Sequence, residues 1–379
     1  RQSAKEPHRT YFLQKYRRGG IESFLRVHQC WFAKQIDMEK SANKERPMAK
    51  DVYEQLTDKI MLTGSRLIPE LFRMIVDESE AELMLAMPAT PEELAEKTGR
   101  SADAVRQTCR QLYHKGVAFK SYKTGSLGYK MCRDMIQFHD ATILWPEAPQ
   151  AYLDLWQRFM EEEWPYFARL ADQFFPKAFT RVIPVNQDID SGKQQVLDVE
   201  SAQQMIERAE TLAVTKCTCR LIAHKCDSPL EVCLQMDNAA KYNLDRGTGR
   251  EINRRQAKDI LRQAEEAGLV HVTMNRAHSG HFICNCCSCC CQALPLVISE
   301  GLNICDPSRF QARIDPESCT GCETCVERCQ FDAIVASEID ESVMTVLEEK
   351  CMGCGLCQMT CPEEAITLVE VRPQDFIPS

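Results

Sequence analysis

The chain has 379 residues, 44% of them hydrophobic and 27% charged, which is typical of a soluble protein and long enough for two or three domains. No run of eighteen apolar residues occurs, which argues against a membrane-spanning helix. The composition is unusual in its 22 cysteines, of which only three precede residue 217. Small secreted disulfide scaffolds are much shorter, and no export signal is visible, so we expect a cytoplasmic protein with metal-binding thiolates.

Charge is distributed unevenly along the chain. Residues 1–50 carry twelve Lys or Arg against five Asp or Glu, whereas residues 300–379 carry five against sixteen. The basic N-terminal extension, residues 1–50, also contains interleaved aromatic residues. It is suited to binding nucleic acid, to lying in a groove of a partner, or to packing on its own protein. The acidic end is suited to docking on a basic redox partner, although it also serves solubility.

Residues 51–145 predict helices followed by a hairpin. Thr90 and Glu93 are spaced as a capping box, and the short helix that they begin is predicted to end at Gly99. A second helix is predicted to end at Gly116, and the alternating segment VAFKSYKTGSLGYKM after it predicts a β-hairpin. This order of elements resembles a winged helix-turn-helix domain.

That resemblance implies a candidate DNA-reading helix. Arg106, Gln107, Arg110 and Gln111 are placed to face a major groove, and lysines of the hairpin region are placed to contact phosphates. These lysines are Lys120, Lys123 and Lys130. Any solvated helix face carries such residues, so docking to protein and a purely structural role stay open.

Residues 146–200 predict a helical connector. Its segment AYLDLWQRFMEEEWPYFARLADQFF is amphipathic, and Pro165 either kinks one helix or begins a second. The pieces RVIPVN and QVLDVE then predict short extended segments on entry to a new domain.

Residues 201–305 form a predicted cysteine-rich α+β domain with ten cysteines in two clumps. They are Cys217, Cys219, Cys226, Cys233, Cys284, Cys286, Cys287, Cys289, Cys290 and Cys291. Exposed thiols without a metal oxidise and cross-link, so we predict that these cysteines are metal ligands. A helix over residues 252–267 and the strand LVHVTMN are predicted between the clumps, and SAQQMIERAETLAV is predicted as a capped helix before them.

The number of thiolates leaves several assignments open. Ten can hold two four-cysteine cubanes with two left over, one cubane plus a zinc ion, or an unusual larger cluster. Neighbours such as Cys286 and Cys287 point in different directions, so we do not expect both to bind one small cluster in the same way. We expect each clump to contribute to shared sites, because sharing would tie down the helix between them and make metal binding part of folding. Arg220 and Lys225 are candidate hydrogen-bond donors to cluster sulfurs. Nearby histidines are candidate iron ligands, although a plain polar role is favoured; they are His224, His278 and His281.

Residues 306–379 carry two complete cysteine runs, CTGCETCVERC and CMGCGLCQMTCP, each with the spacing C-x2-C-x2-C-x3-C. A zinc site would leave the third cysteine of each triplet unused. The runs resemble those of the bacterial two-cluster ferredoxins, in which the fourth cysteine of each run serves the other 4Fe-4S cluster. One departure from the family is that Gln330, not proline, follows Cys329.

The resemblance implies two sets of cluster ligands. The first is Cys319, Cys322, Cys325 and Cys361, and the second is Cys351, Cys354, Cys357 and Cys329. The CxCR and CNCCxCCC patterns ahead of this domain further resemble uncharacterised iron-sulfur proteins of anaerobic bacteria and archaea, which implies a cofactor class but no substrate.

No dinucleotide fingerprint, phosphate loop or separate radical motif is found in the sequence. We therefore predict an α+β multidomain electron-transfer protein, a non-catalytic subunit of a larger anaerobic oxidoreductase. It passes single electrons through two C-terminal 4Fe-4S clusters and one or two more. Its expected partners are redox proteins, with DNA less favoured. Two alternatives are a redox- or oxygen-responsive transcription regulator and a reductase with a catalytic cluster in residues 217–291.

Overall fold

The computed structural model describes residues 50–122, 125–185, 200–277 and 281–378, so residues 1–49, Lys123 and His278 lie outside the described part. The chain has a mixed α+β architecture and divides into two units, one ending at Thr142 and the other beginning at Ile143. In the described ranges, no helix combines the length and apolarity that a bilayer crossing requires.

The N-terminal unit contains helices that bury apolar side chains, and a two-stranded hairpin. From residue 50 onward its elements are α1 (Val52–Lys59), α2 (Leu67–Ile75), α3 (Glu78–Leu85), α4 (Pro91–Thr98), α5 (Ala102–Lys115), β1 (Ala118–Ser121), β2 (Gly128–Met131) and α6 (Met135–Ile143), which runs one residue past the boundary. Strands β1 and β2 pair antiparallel, which confirms the predicted hairpin. Phe72 of α2 stacks on Phe138 of α6 with ring centroids 4.2 Å apart, in the core of this unit.

Local capping sets the helix boundaries in this unit. The predicted capping box is present, since the Thr90 hydroxyl accepts from the Glu93 N–H and the Glu93 carboxylate accepts from the Thr90 N–H. Helices α4 and α5 end at Gly99 and Gly116, both in the left-handed conformation, as predicted. Asp51 and Asp77 cap α1 and α3 in further capping boxes, with Glu54 and Glu80 as the partners.

The C-terminal unit begins with two helices and is organised by a seven-stranded sheet in the order β6-β4-β5-β8-β7-β3-β9. The strands are β3 (Thr180–Val182), β4 (Leu212–Lys216), β5 (Glu231–Met236), β6 (Arg250–Glu251), β7 (Val270–Met274), β8 (Phe282–Cys286) and β9 (Cys305–Asp306). The helices are α7 (Gln150–Glu162), α8 (Trp164–Phe174), α9 (Ala202–Arg208), α10 (Thr218–Ala223), α11 (Asn238–Asp245), α12 (Arg254–Glu266) and α13 (Leu294–Glu300). All the pairings in this sheet are antiparallel except that of β3 with β9.

The structure changes one sequence expectation in this unit and decides between two alternatives at another position. The helix predicted over SAQQMIERAETLAV ends at Arg208, and Leu212–Lys216 is a strand instead. A short apolar run fits either state, and pairing with β5 and β6 decides in favour of the strand. The sequence left open whether Pro165 kinks one helix or begins a second. This proline lies in the first turn of α8, so it begins a second helix.

The last part of the unit contains two antiparallel strand pairs and two one-turn helices. They are β10 (Phe310–Ile314) with β13 (Ile366–Glu370), β11 (Ile334–Ala336) with β12 (Met344–Val346), α14 (Thr324–Arg328) and α15 (Leu356–Thr360), with a 3-10 turn at Gln374–Phe376. Each one-turn helix contains the third cysteine of its run and ends just before the fourth. The two runs therefore have the same local structure.

Candidate metal centres

The first cavity of the C-terminal part is lined by four thiols and by apolar side chains that include Ile314, Met344 and Ile366. The thiols are those of Cys319, Cys322, Cys325 and Cys361. Three come from the first run and the fourth from the end of the second. We refer to this cavity as the outer cavity, because it includes the exposed Cys322.

A second cavity has the same construction and lies closer to the sheet. It is lined by Cys329, Cys351, Cys354 and Cys357 and by apolar neighbours that include Phe331 and Leu356. The backbone N–H of Val185, which follows β3, donates to the carbonyl oxygen of Cys354 at 2.9 Å. We refer to this cavity as the inner cavity.

Both cavities fit a 4Fe-4S cluster, because each presents four thiols among apolar side chains. Burial raises the pKa of Cys325 above its ordinary value and that of Cys357 well above it. Such thiols ionise when iron supplies a compensating positive charge, so cluster binding is coupled to proton release.

The ten cysteines of the preceding region form two groups. Cys226, Cys287, Cys289 and Cys290 make up the four-thiol group, in which all four Sγ atoms lie within 4.8 Å of one another. The Sγ of Cys226 is 3.8 Å from those of both Cys287 and Cys290, and the Sγ atoms of Cys289 and Cys290 are 3.7 Å apart. Burial opposes ionisation of Cys226, but hydrogen bonds from Ser228 and neighbouring thiols lower its pKa to about 6.

The other six thiols form a continuous series of contacts, which we call the six-thiol group. Its members are Cys217, Cys219, Cys233, Cys284, Cys286 and Cys291. Contacts with Cys219 and Cys233 lower the pKa of Cys217 well below its ordinary value, whereas contact with Cys284 raises that of Cys286. Cys286 and Cys287 are neighbours in sequence but belong to different groups. Both clumps contribute to each group.

Arg220 lies between the two groups and is almost completely buried. Its guanidinium donates to the carbonyl oxygens of Pro229 at 2.7 Å and Asn285 at 3.2 Å, and to the Sγ of Cys287 at 3.5 Å. Burial disfavours its charge, but the negative charge on Cys217 and Cys287 holds its pKa above the ordinary value. The predicted role of Arg220 as a donor to sulfur matches this contact.

The other predicted polar neighbours of the cysteines lie nearer the surface. Lys225 forms an exposed ion pair with Glu161 at 3.3 Å. His224 and His281 are exposed and do not belong to the four-thiol group. The third histidine, His278, lies outside the described residues.

Sequence reasoning missed a buried polar network behind the thiols. The His271 ring hydrogen-bonds both Asn285 and the Glu265 carboxylate, and the Asn285 amide donates to the carbonyl oxygen of Val232. Asn285 lies between two cysteines of β8, so the network fixes the strand that presents them. A histidine between two valines of the segment LVHVTMN was the available signal for this network.

Gln330, the departure from the ferredoxin pattern, contacts the cysteine-rich region. Its side-chain oxygen accepts from the backbone N–H of Ser288 at 3.0 Å, in the turn that carries three cysteines of the four-thiol group. A proline has no side-chain acceptor and could not make this contact.

One hydrophobic core connects the inner cavity to the six-thiol group. Buried Cys286, Phe331 and Leu356 belong to it. Other cysteines of both sites pack against it, namely Cys284, Cys291, Cys329, Cys351 and Cys354. The two sites are therefore neighbours within one packed interior.

Comparison with known families identifies the C-terminal part. Residues 312–368 match the family model of the 4Fe-4S dicluster domain, and this range includes all eight cysteines of the two cavities. The chain therefore contains a C-terminal ferredoxin-like domain with 4Fe-4S clusters, as the two cysteine runs predicted. Comparison of the chain with curated proteins gives no match.

Proposed function

We propose that this protein is a non-catalytic electron-transfer subunit of a larger anaerobic oxidoreductase system. Electrons pass singly through the clusters of the outer and inner cavities and a third cluster held by the six-thiol group. The supporting observation is the hydrophobic core shared by the inner cavity and the six-thiol group. This core brings two sets of cluster ligands close together and excludes water between them.

The chain's own residues have a limited part in this chemistry, because a bound cluster supplies the one-electron redox step. Thiolates hold the irons, and a packed apolar surrounding keeps water away. Arg220 provides a buried positive charge that interacts with Cys217 of the six-thiol group, which favours the more negative, reduced state of a nearby cluster.

The outer cavity is the proposed site of exchange with a redox partner. Cys322 is exposed there, and its neighbour Gly321 packs against the backbone of Ser342 in the loop between β11 and β12. That loop carries Glu338, Asp340 and Glu341 around Ile339, whose side chain is 97% exposed. A partner with a basic surface and an apolar depression complements this loop.

Metal analysis and spectroscopy under anaerobic conditions test the proposal. We expect about twelve irons per chain, four for each of three cubanes. Stepwise reduction is expected to give electron paramagnetic resonance spectra broadened by coupling between neighbouring clusters. An iron content of about eight or fewer would eliminate the third cluster, and anaerobic co-purification without any redox protein would contradict the subunit role.

Pairs of substitutions test how the cavity thiols are shared between clusters. Cys319→Ala combined with Cys361→Ala is expected to remove about four irons, since both thiols line the outer cavity. Cys319→Ala combined with Cys329→Ala is expected to remove about eight, because each thiol lines a different cavity. If each run held its own cluster, the first pair would remove about eight irons and the second pair about four.

The contact made by Gln330 gives a separate prediction. Gln330→Ala is expected to retain the ferredoxin clusters but to lower the free energy of unfolding by about 1–3 kcal/mol, because the Ser288 N–H loses its acceptor. Denaturant titration of the loaded protein measures this change. The exposed Gln263→Ala serves as control and should stay within about 0.5 kcal/mol of the original chain. Equal effects of the two substitutions would contradict a docking role for Gln330.

The N-terminal unit is proposed to be a winged-helix-like domain that docks to protein. Its α5 carries the predicted DNA-facing residues, but the Arg106 guanidinium pairs with Asp103 at 2.8 Å and with Glu92 at 2.5 Å. Those carboxylates compete with phosphate for the same donor. We expect no sequence-selective, salt-sensitive gel shift with cluster-loaded protein, and such a shift would favour the regulator instead.

A further inference from the structure

We propose that the four-thiol group is a structural site for a single zinc ion, separate from the iron-sulfur relay. Its ligands are Cys226, Cys287, Cys289 and Cys290. The argument starts from the distances between the sulfur atoms, which differ between a site for one ion and a site for a cubane.

In a mononuclear site, all the sulfurs bind the same ion. A tetrahedron with metal–sulfur bonds of about 2.3 Å has sulfur–sulfur edges of about 3.8 Å. Three of the separations in the group are 3.8, 3.8 and 3.7 Å. These sulfur positions match a zinc tetrathiolate site.

In a cubane, each thiolate binds a different iron, so the sulfurs stand apart by the width of the iron-sulfide cube. The eight cavity cysteines provide an internal comparison. All eight of these cysteines lie in the described part of the chain, and no three of their Sγ atoms lie within 4.8 Å of one another. The two ferredoxin-like cavities therefore do not share the close sulfur spacing of the four-thiol group.

The positions of the ligands along the chain also fit zinc. Cys287 and Cys290 have the C-x2-C spacing common in structural zinc sites. Cys226, 61 residues before Cys287, comes from the loop after α10. Four thiolates leave no open coordination position, which is the arrangement of a structural site and not of a catalytic one.

The surroundings provide charge compensation and explain what the ion would hold together. A zinc ion with four thiolates carries a net charge of about −2, and the buried Arg220 donates to the Sγ of Cys287 at 3.5 Å. The ion would tie the loop after α10 to the turn after β8. That turn also receives the contact from Gln330, so zinc would stabilise the surface on which the ferredoxin-like domain packs.

Anaerobically purified full-length protein is the material for the test, with zinc and iron measured on the same sample. We expect about one zinc ion per chain, with X-ray absorption at the zinc edge showing four sulfurs at about 2.3 Å and no iron neighbour. Cys226→Ala is expected to lose that zinc and to retain its iron. Cys305→Ala is the matched control, because Cys305 is a buried thiol of the same unit outside both groups, and it should retain both metals.

Two results would overturn the proposal. One is wild-type protein without stoichiometric zinc, and the other is loss of about four irons in Cys226→Ala, which would assign the group to a cubane. The absorption spectrum of the wild type keeps the test decisive even if the variant fails to fold. Cys233→Ala is expected to remove the proposed third cluster and to leave the zinc content unchanged. The zinc proposal and the proposed electron relay can therefore fail independently.

Discussion

Replacing Gly353 by alanine is expected to abolish the cluster of the inner cavity and to lower the iron content by about four per chain. Gly353 has a φ of +66°, and a Cβ there would overlap the carbonyl oxygen of Phe310 and the Oγ of Ser308. Backbone atoms on a paired strand have little freedom to move aside. The loop that presents Cys351 and Cys354 would therefore open. Iron analysis and visible absorption of anaerobically purified protein measure the loss.

Gly301 offers a matched control for this substitution. Its φ is +67°, almost the same as that of Gly353, but nothing lies within 4 Å of a Cβ built there. Gly301→Ala incurs only the left-handed backbone cost, about 1–2 kcal/mol, and should retain all its iron. Full iron content in Gly353→Ala, or equal losses in both variants, would contradict steric exclusion as the reason for glycine.

Replacing Arg309 by methionine is expected to lower the free energy of unfolding by about 3–5 kcal/mol. Arg309 is completely buried, and its Nε lies 3.0 Å from the Glu200 carboxylate, which is also buried. Its Nη1 lies 2.6 Å from Glu370 and donates to the carbonyl oxygen of Arg372 at 3.2 Å. Without the guanidinium, the buried Glu200 loses the charge that offsets its desolvation. Denaturant titration of the loaded protein, followed by tryptophan fluorescence, measures the change.

Arg313 provides the comparison within the same strand, β10. Its ion pair with Glu348 is exposed on both sides, so Arg313→Met is expected to cost no more than about 1 kcal/mol. Adding Glu200→Leu to Arg309→Met should recover part of the lost stability, because it removes the buried carboxylate that has lost its hydrogen bonds from Arg309. Similar denaturant midpoints for the Arg309→Met and Arg313→Met variants would show that burial does not strengthen the Arg309–Glu200 ion pair.

The sequence alone determined the features that depend on near neighbours in the chain. The eight ferredoxin-like cysteines followed from spacings of two and three residues, and the family match to residues 312–368 confirmed that domain. Helix limits such as Thr90 and Gly99 followed from capping, which involves backbone groups within one turn. The predicted hairpin after α5 similarly needed only a local alternation and a turn.

Only the tertiary structure decided the features that depend on distant residues. Strand β4 replaced the end of a predicted helix because β5 and β6 pair with it. The division of ten cysteines into groups of four and six depends on the end of β8, where Cys286, the last residue of the strand, and Cys287, the next residue, belong to different groups. Spacing in sequence does not encode these contacts, since they form when separate strands pair and bury their side chains in a common core.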